Sequence, residues 1–315
     1  MGLCDAVPGV SGGTMALILG FYERLITALH GCVAALRPPW RWAEIRAAGP
    51  ALGFLLPLGL GAGVALVLAL RLLVGDTSSL QEPLAAEDAA ALRAAIDQVP
   101  GLLVHPQRAP LILALFFGLV AASLGEPWRQ RRQARRGDPA LALAAALVAG
   151  LVALSPALDS TPQPWLLVIG GALAVTAMLL PGISGSLVLL LLGLYQVVAG
   201  AVNGLVASGS VAHLLTLLWF ALGMGGGVML GIPLLRRLLL HHHDRMMAIL
   251  SGLMAGSLCA LWPWKEHYLP QAITVLGPMH LSAPQAHWPW VLLCALLGTG
   301  IGLLMRHRRR SPEPC

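Results

Sequence analysis

The pattern Pro-Gly-x-Ser-Gly occurs twice in this 315-residue chain, each time inside an otherwise apolar stretch. The first copy, Pro8-Gly9-Val10-Ser11-Gly12, interrupts residues 6–22. The second, Pro181-Gly182-Ile183-Ser184-Gly185, interrupts residues 165–200. Proline lacks an amide donor and clashes with the preceding turn, and each interior glycine costs a helix about 1 kcal/mol relative to alanine, so neither stretch is one unbroken helix. In hydrocarbon such a break survives only where the freed backbone groups find partners inside the protein.

Hydrocarbon is the relevant solvent. The chain is 57% hydrophobic and only 11% charged, far from the balance of a soluble enzyme or a disordered segment. Six further runs, near 52–74, 109–125, 140–158, 213–235, 246–262 and 289–305, are long enough to cross a core about 30 Å thick. The predicted fold class is an all-α polytopic membrane protein. Orientation follows from Lys and Arg in the connections. Residues 23–49, 126–139, 236–245 and the tail from 306 hold sixteen of them, whereas 75–108, 159–164 and 263–288 hold three. The first set is assigned to the cytoplasm, together with the C-terminus. Residues 165–200 then enter and leave from the outer face as two arms of about 16 residues meeting at Leu180–Ser186, each about 24 Å long if helical. The net charge of +6 is topology signal. It is dispersed between apolar runs and forms no basic face for nucleic acid.

The two broken segments belong to an internal repeat. Pro8-Gly9-Val10-Ser11-Gly12-Gly13, ending Leu19-Gly20-Phe21-Tyr22, lies 173 residues before Pro181-Gly182-Ile183-Ser184-Gly185-Ser186, ending Leu192-Gly193-Leu194-Tyr195. Gly59–Val64 echoes Gly223–Val228, and Gly118–Leu124 echoes Gly252–Leu258. Each half is read as a broken or re-entrant helical segment plus three transmembrane helices: residues 1–158, then 159–306, with 307–315 as a cytoplasmic tail. Three spans per half give the halves opposite orientation. Inverted-topology repeats with broken helices are a signature of secondary transporters, whose site lies where the repeats meet.

At each break a helix begins, and its first amides are unpaired donors at a positive dipole end. A phosphate is a natural partner, with the hydroxyls of Ser11, Thr14, Ser184 and Ser186 as further donors. The same residues also fit a plainer reading, in which the serines cap their own helices and the glycines let helices pack. Ionisable residues near the membrane are few. Asp5 precedes the first break by three residues and could accept a coupled proton or cap the helix. Glu23 and Arg24 close the first segment and could pair with each other or meet a lipid headgroup. His241-His242-His243 cannot share one helix face, so no metal site is predicted. No cofactor is predicted either.

The string Asp5–Leu25, with Leu180–Ser186 and Leu192–Tyr195, resembles a bacterial membrane family, the polyprenyl-phosphate (undecaprenyl-phosphate) transporters, over essentially the whole chain. The resemblance implies a flippase that returns the lipid carrier of cell-envelope synthesis from the outer to the cytoplasmic leaflet. It implies that Pro8, Gly9, Ser11, Gly12, Gly13, Thr14, Pro181, Gly182, Ser184, Gly185 and Ser186 line the phosphate path, and that a proton or sodium is the candidate coupling ion. It also implies an apolar arm before the first motif. Only seven residues precede Pro8, so that arm is read as truncated. Gln196 stands where an acid is typical. An undecaprenyl-pyrophosphate phosphatase is the enzymatic alternative. That family's Pro-Gly-x-Ser motif continues with Arg and is accompanied by a glutamate cluster, whereas here Gly12 and Gly185 follow the serines. An ion-coupled permease for a small soluble anion is a third reading, disfavoured by the few polar residues in the spans.

Overall fold

A computed structural model describes residues 11–36, 42–69, 72–73, 88–98, 101–103, 105–133, 136–154, 163–194, 210–265 and 288–310, with a few isolated positions besides. Among the described residues the regular elements are helices: α1 (Gly12–Leu19), α2 (Tyr22–Leu36), α3 (Trp42–Ala69), α4 (Ala89–Ile96), α5 (Ala109–Ser123), α6 (Gly125–Gln130), α7 (Asp138–Leu154), α8 (Pro164–Leu179), α9 (Gly185–Leu191), α10 (Val211–His241), α11 (His243–Ser257) and α12 (Trp288–Arg310). Four stretches are long and apolar enough to cross a bilayer: Ala48–Ala65, Ala109–Gln130, Val211–His241 and Trp288–Met305. Two shorter apolar helices, Asp138–Leu151 and Pro164–Leu179, accompany them. Leu56, Leu60, Leu147, Leu151, Leu230, Leu234, Leu296 and Leu304 are exposed on these helices, as expected where lipid is the solvent. The chain is an all-α polytopic membrane protein.

The structure departs from the sequence reading in four places. Residues 23–49, expected as a connecting segment, contain α2 and the start of α3. Leu25, Ile26, Ala28 and Val33 are buried while Glu23, Arg24 and Thr27 are exposed, an amphipathic pattern that packs α2 on α3 and α10. The second arm of the hairpin is a seven-residue helix, because Gly193 turns the chain with φ +68°. The run 246–262 is helical only to Ser257 and then passes into turns. The charge at the chain's end is also carried on helix, since α12 continues to Arg310.

Helices pair along their lengths. α5 lies on α12, α11 on α7, and α8 on α10. Small residues make these approaches possible: a Cβ on Gly118 or Gly252 would overlap the backbone of Ala295 or Ala142. Gly118 and Gly252 are equivalent positions of the internal echo, so equivalent helices use equivalent glycines. Short α1 is enclosed by the assembly, with Met15, Ala16, Leu17 and Ile18 all buried.

Candidate functional site: the junction of the broken motifs

Both copies of the motif fold the same way. Ser11, in extended conformation (φ −119°, ψ 157°), caps α1 and accepts a bond from the Thr14 amide at 3.3 Å. The Met15 amide donates to the Ser11 carbonyl at 3.3 Å, and the Val188 amide donates to the Ser184 carbonyl at 3.2 Å. α1 ends at Gly20 with φ +84°, and the Phe21 amide reaches back to the Ala16 carbonyl at 3.0 Å. In the second copy Gly193 has φ +68°, and the Leu194 amide reaches the Leu189 carbonyl at 2.9 Å. The partners in each pair of bonds stand 173 residues apart. This left-handed glycine closure satisfies carbonyls that the end of a helix leaves open.

The copies also complete each other. α8 ends at Leu179, in the apolar interior, with carbonyls that have no helical partner. Ser11 Oγ donates to the Leu180 carbonyl at 3.2 Å, and the Tyr22 hydroxyl donates to the Leu179 carbonyl at 2.9 Å. In return the Gly182 amide donates to Thr14 Oγ1 at 2.9 Å. With the Ser11 proton on Leu180, Thr14 Oγ1 donates to Ser11 Oγ at 3.2 Å, so every hydroxyl proton in this short chain has one acceptor. Ser11 and Thr14 are each 1% exposed and Ser184 6%. Pro181 and Gly182 are buried too.

Two glycines permit this contact. Gly182 has φ +89°, and a Cβ there would lie 2.5 Å from the Leu253 carbonyl carbon; a Cβ on Gly13 would lie 3.0 Å from the Leu179 carbonyl oxygen. The structure thus brings Ser11, Gly13 and Thr14 against Pro181 and Gly182, with Gly12, Ser184 and Gly185 in the adjoining first turns. Asp5, Pro8, Gly9 and Gln196 lie outside the described residues, as does the side chain of Ser186. Glu23 and Arg24 do not pair with each other. Arg24 stacks on Phe54 of α3, with its guanidinium carbon 4.6 Å from the ring centre. Glu23 Oε1 instead meets His243 Nε2 at 2.9 Å.

Comparison with known proteins decides the family. Residues 1–84 and 97–275 match the undecaprenyl phosphate translocase-like family. The chain belongs to this family. It is also 34% identical over 267 residues to a polyprenyl-phosphate transporter of Vibrio cholerae serotype O1, covering 84% of this chain and 76% of that protein. No solved structure matches the chain. Both broken motifs lie inside the family match, whereas α12, the partner of α5, lies beyond it.

The first broken motif leads into a second feature that the sequence reading missed. A cavity of about 300 Å³ opens beside the C-terminal end of α1, lined by Leu17, Gly20, Tyr22, Glu23, Gln130, Arg132 and His243. Its walls come from α1, α2, the end of α6 with the connection that follows it, and the start of α11. Three of these segments, 23–49, 126–139 and 236–245, are the Arg-rich connections assigned to one side of the membrane. Their shared charge bias was the available signal, but nothing in their spacing says that Arg132 and His243 meet.

Proposed function

We propose that this chain moves polyprenyl phosphate between membrane leaflets, from the outer to the cytoplasmic face, by alternating access around the motif junction. The observation that carries the reading is the reciprocal bonding of the two copies, Ser11 to Leu180 and Gly182 to Thr14. An anionic headgroup crossing hydrocarbon needs donors in place of water. The Ser11 and Thr14 hydroxyls, the Gly182 amide and the first amides of α1 are such donors. In this arrangement of the molecule the hydroxyls and the Gly182 amide are spent on each other. Passage of a phosphate exchanges those partners for its oxygens, while the prenyl chain stays in lipid. Ser184, Gly185 and Ser186 supply the equivalent turn from the second copy, and Pro8 and Gly9 precede Ser11 in the sequence of the first.

Opposite orientation of the halves is part of the reading. It is supported by the alternation of basic connections and by the equivalent pairing of α5 with α12 and α11 with α7. The same alternation supports a cytoplasmic C-terminus, and the bacterial source of the relative supports an inner membrane as the location. The name of the Vibrio relative supports a polyprenyl phosphate as cargo. Coupling to a proton or sodium would fall to Asp5, since Glu23 and Arg24 are engaged with His243 and Phe54.

The test is leaflet exposure of the carrier. Cells lacking this protein and its functional substitutes should accumulate polyprenyl phosphate on the outer face, and the wild-type chain should clear it. Unchanged exposure would refute transport in this direction. Phosphate release from a polyprenyl pyrophosphate by the purified protein would favour the hydrolytic alternative. A double variant Ser11→Ala, Thr14→Val at equal abundance should clear the carrier more slowly; normal clearance removes the hydroxyls from the path.

A further inference from the structure

Donors gather around the cavity beside α1, and the fold leaves two of them without acceptors among the described residues. The Gln130 side-chain amide nitrogen is buried with no hydrogen-bond partner among the described residues. Buried donors are nearly always satisfied, so an orphan of this kind is a sign of a missing partner. Arg132 makes no ion pair among the described residues. His243 Nε2 faces the Glu23 carboxylate at 2.9 Å; an ionised carboxylate only accepts, so Nε2 carries a hydrogen and is a third donor.

The backbone that presents Arg132 is held on both sides. Arg131 pairs with Asp138 at 2.8 Å, with both side chains largely buried, and stacks on Trp128. Asp244 accepts the amides of Arg132 at 2.7 Å and Gln133 at 3.2 Å. Those bonds, the Arg132 amide foremost, hold the Asp244 carboxyl below its ordinary range. Asp244 also lies 3.4 Å from His243 Nδ1, so α11 fixes the connection and the imidazole together. Such support is what a preorganised binding group requires.

We propose that this cavity binds a phosphate headgroup, with Arg132, His243 and Gln130 as its ligands and Glu23 as the internal anion that the phosphate displaces. The inference rests on the transport reading and gives it a second station. A volume of about 300 Å³ is at the small end of ligand sites; it suits a headgroup with its waters and excludes a polyprenyl chain. Glu23 is 57% exposed at its side chain and is free to turn toward water when a phosphate takes the His243 hydrogen. The cavity lies one helix from the motif junction, about 12 Å along α1. Tyr22 joins the two, lining the cavity and bonding to Leu179 at the junction.

The opposed signs of the charges give a discriminating test. Full-length protein in nanodiscs of zwitterionic lipid is titrated with farnesyl phosphate and, separately, with inorganic phosphate, at low ionic strength. Arg132→Gln should weaken farnesyl phosphate binding about tenfold, the loss of one charge-assisted bond. Glu23→Gln should tighten it, because the competing carboxylate is gone. Thermal unfolding of each variant identifies one that fails to fold, in which case His243→Gln replaces it and should weaken binding. Equal affinities in all variants, or shifts in the same direction for Arg132→Gln and Glu23→Gln, would overturn the site. Tighter binding of farnesyl phosphate than of inorganic phosphate supports a lipid headgroup; equal affinity overturns that assignment. If the wild type moves polyprenyl phosphate and Arg132→Gln binds and moves it equally well, the site falls while transport stands. If the opposed shifts appear but no lipid crosses, the site stands and the transport reading falls.

Discussion

The motif junction and the Arg132 cavity lie at opposite ends of the eight-residue helix α1, and they treat polar groups in opposite ways. At the junction the hydroxyls of Ser11, Thr14 and Tyr22 and the backbone of Leu179, Leu180 and Gly182 satisfy one another in dry packing. At the cavity, among the described residues, Gln130 has an orphan donor and Arg132 a guanidinium without an ion pair, beside an exposed carboxylate. The difference teaches where the molecule tolerates unmet demand. In hydrocarbon an unsatisfied group costs several kcal/mol, so the polar groups of the junction stay paired with one another. At the polar end of α1 the exposed Arg132 can turn to water, so its charge can wait for a partner. Single substitutions can break one side of this contrast and leave the other intact.

The largest effect belongs to Gly182. Its φ of +89°, and the 2.5 Å that would separate an added Cβ from the Leu253 carbonyl carbon, make Gly182→Val both strained and clashing. A loss of about 4 kcal/mol or more is expected, read as loss of folded protein from the membrane. Gly20→Ala offers the control: φ is also positive, at +84°, but the residue is exposed. Its cost should be about 1–2 kcal/mol. Equal damage from both would mean that backbone conformation, rather than close packing at the junction, sets the requirement.

Next comes Lys265, which shows what dry packing does to a charge when no carboxylate among the described residues answers it. It follows α11, beyond the apolar run, and is 6% exposed with its ammonium on the Ala260 carbonyl at 2.6 Å. Burial pushes its pKa from the ordinary 10.5 down to about 8. Between those values the unfolded chain binds more protons than the folded one, so stability should rise with pH across that window and be flat below it. The full span is worth about 3 kcal/mol. Thermal unfolding from pH 7 to 10.5 reads it, and Lys265→Met should abolish the slope while raising stability at pH 7. A slope that survives Lys265→Met would assign it to another group.

How much of this was legible in the sequence follows from the range of the interactions. The breaks at Ser11 and Ser184 were readable because proline and glycine act locally. The 173-residue repeat likewise announced that Gly20 and Gly193 share a role, though not that both turn left-handed. The contact between Thr14 and Gly182 spans 168 residues, and only three-dimensional packing could supply it. α2 was missed because its Arg and Glu residues read as a polar connection; the burial of Leu25, Ile26 and Val33 on one face is a helical-period signal that the charge count obscured. His243 was weighed only as a metal ligand in a run of three. Its partner Glu23, 220 residues away, is what gives it a different use.

Thr14→Val is the cleaner cut at the junction. Valine keeps the volume but withdraws the acceptor of the buried Gly182 amide. The expected cost is about 2 kcal/mol, the penalty of leaving a buried donor unmet. Phosphate binding at the cavity should not change, because Thr14 does not line it. Transport should slow if the hydroxyl also serves the moving headgroup. A Thr14→Val protein as stable as the wild type would indicate that water reaches Gly182, and the junction would no longer count as dry.

Tyr22→Phe is the mildest change and the one that asks whether the two regions are separable at all. The side chain is 2% exposed. Tyr22 borders the cavity, and its hydroxyl donates to Leu179 at 2.9 Å. Phenylalanine retains the ring and removes only the junction bond, so stability should fall by about 1 kcal/mol. Farnesyl phosphate affinity at the cavity should hold, since the cavity wall is unaltered. The transport rate is then the informative quantity. If it changes while cavity affinity does not, the Leu179 bond helps set how readily the junction opens, and Tyr22 is a positioning residue between the two stations. If cavity affinity drops as far as in Arg132→Gln, the hydroxyl is shaping both regions, and α1 carries one continuous site instead of two.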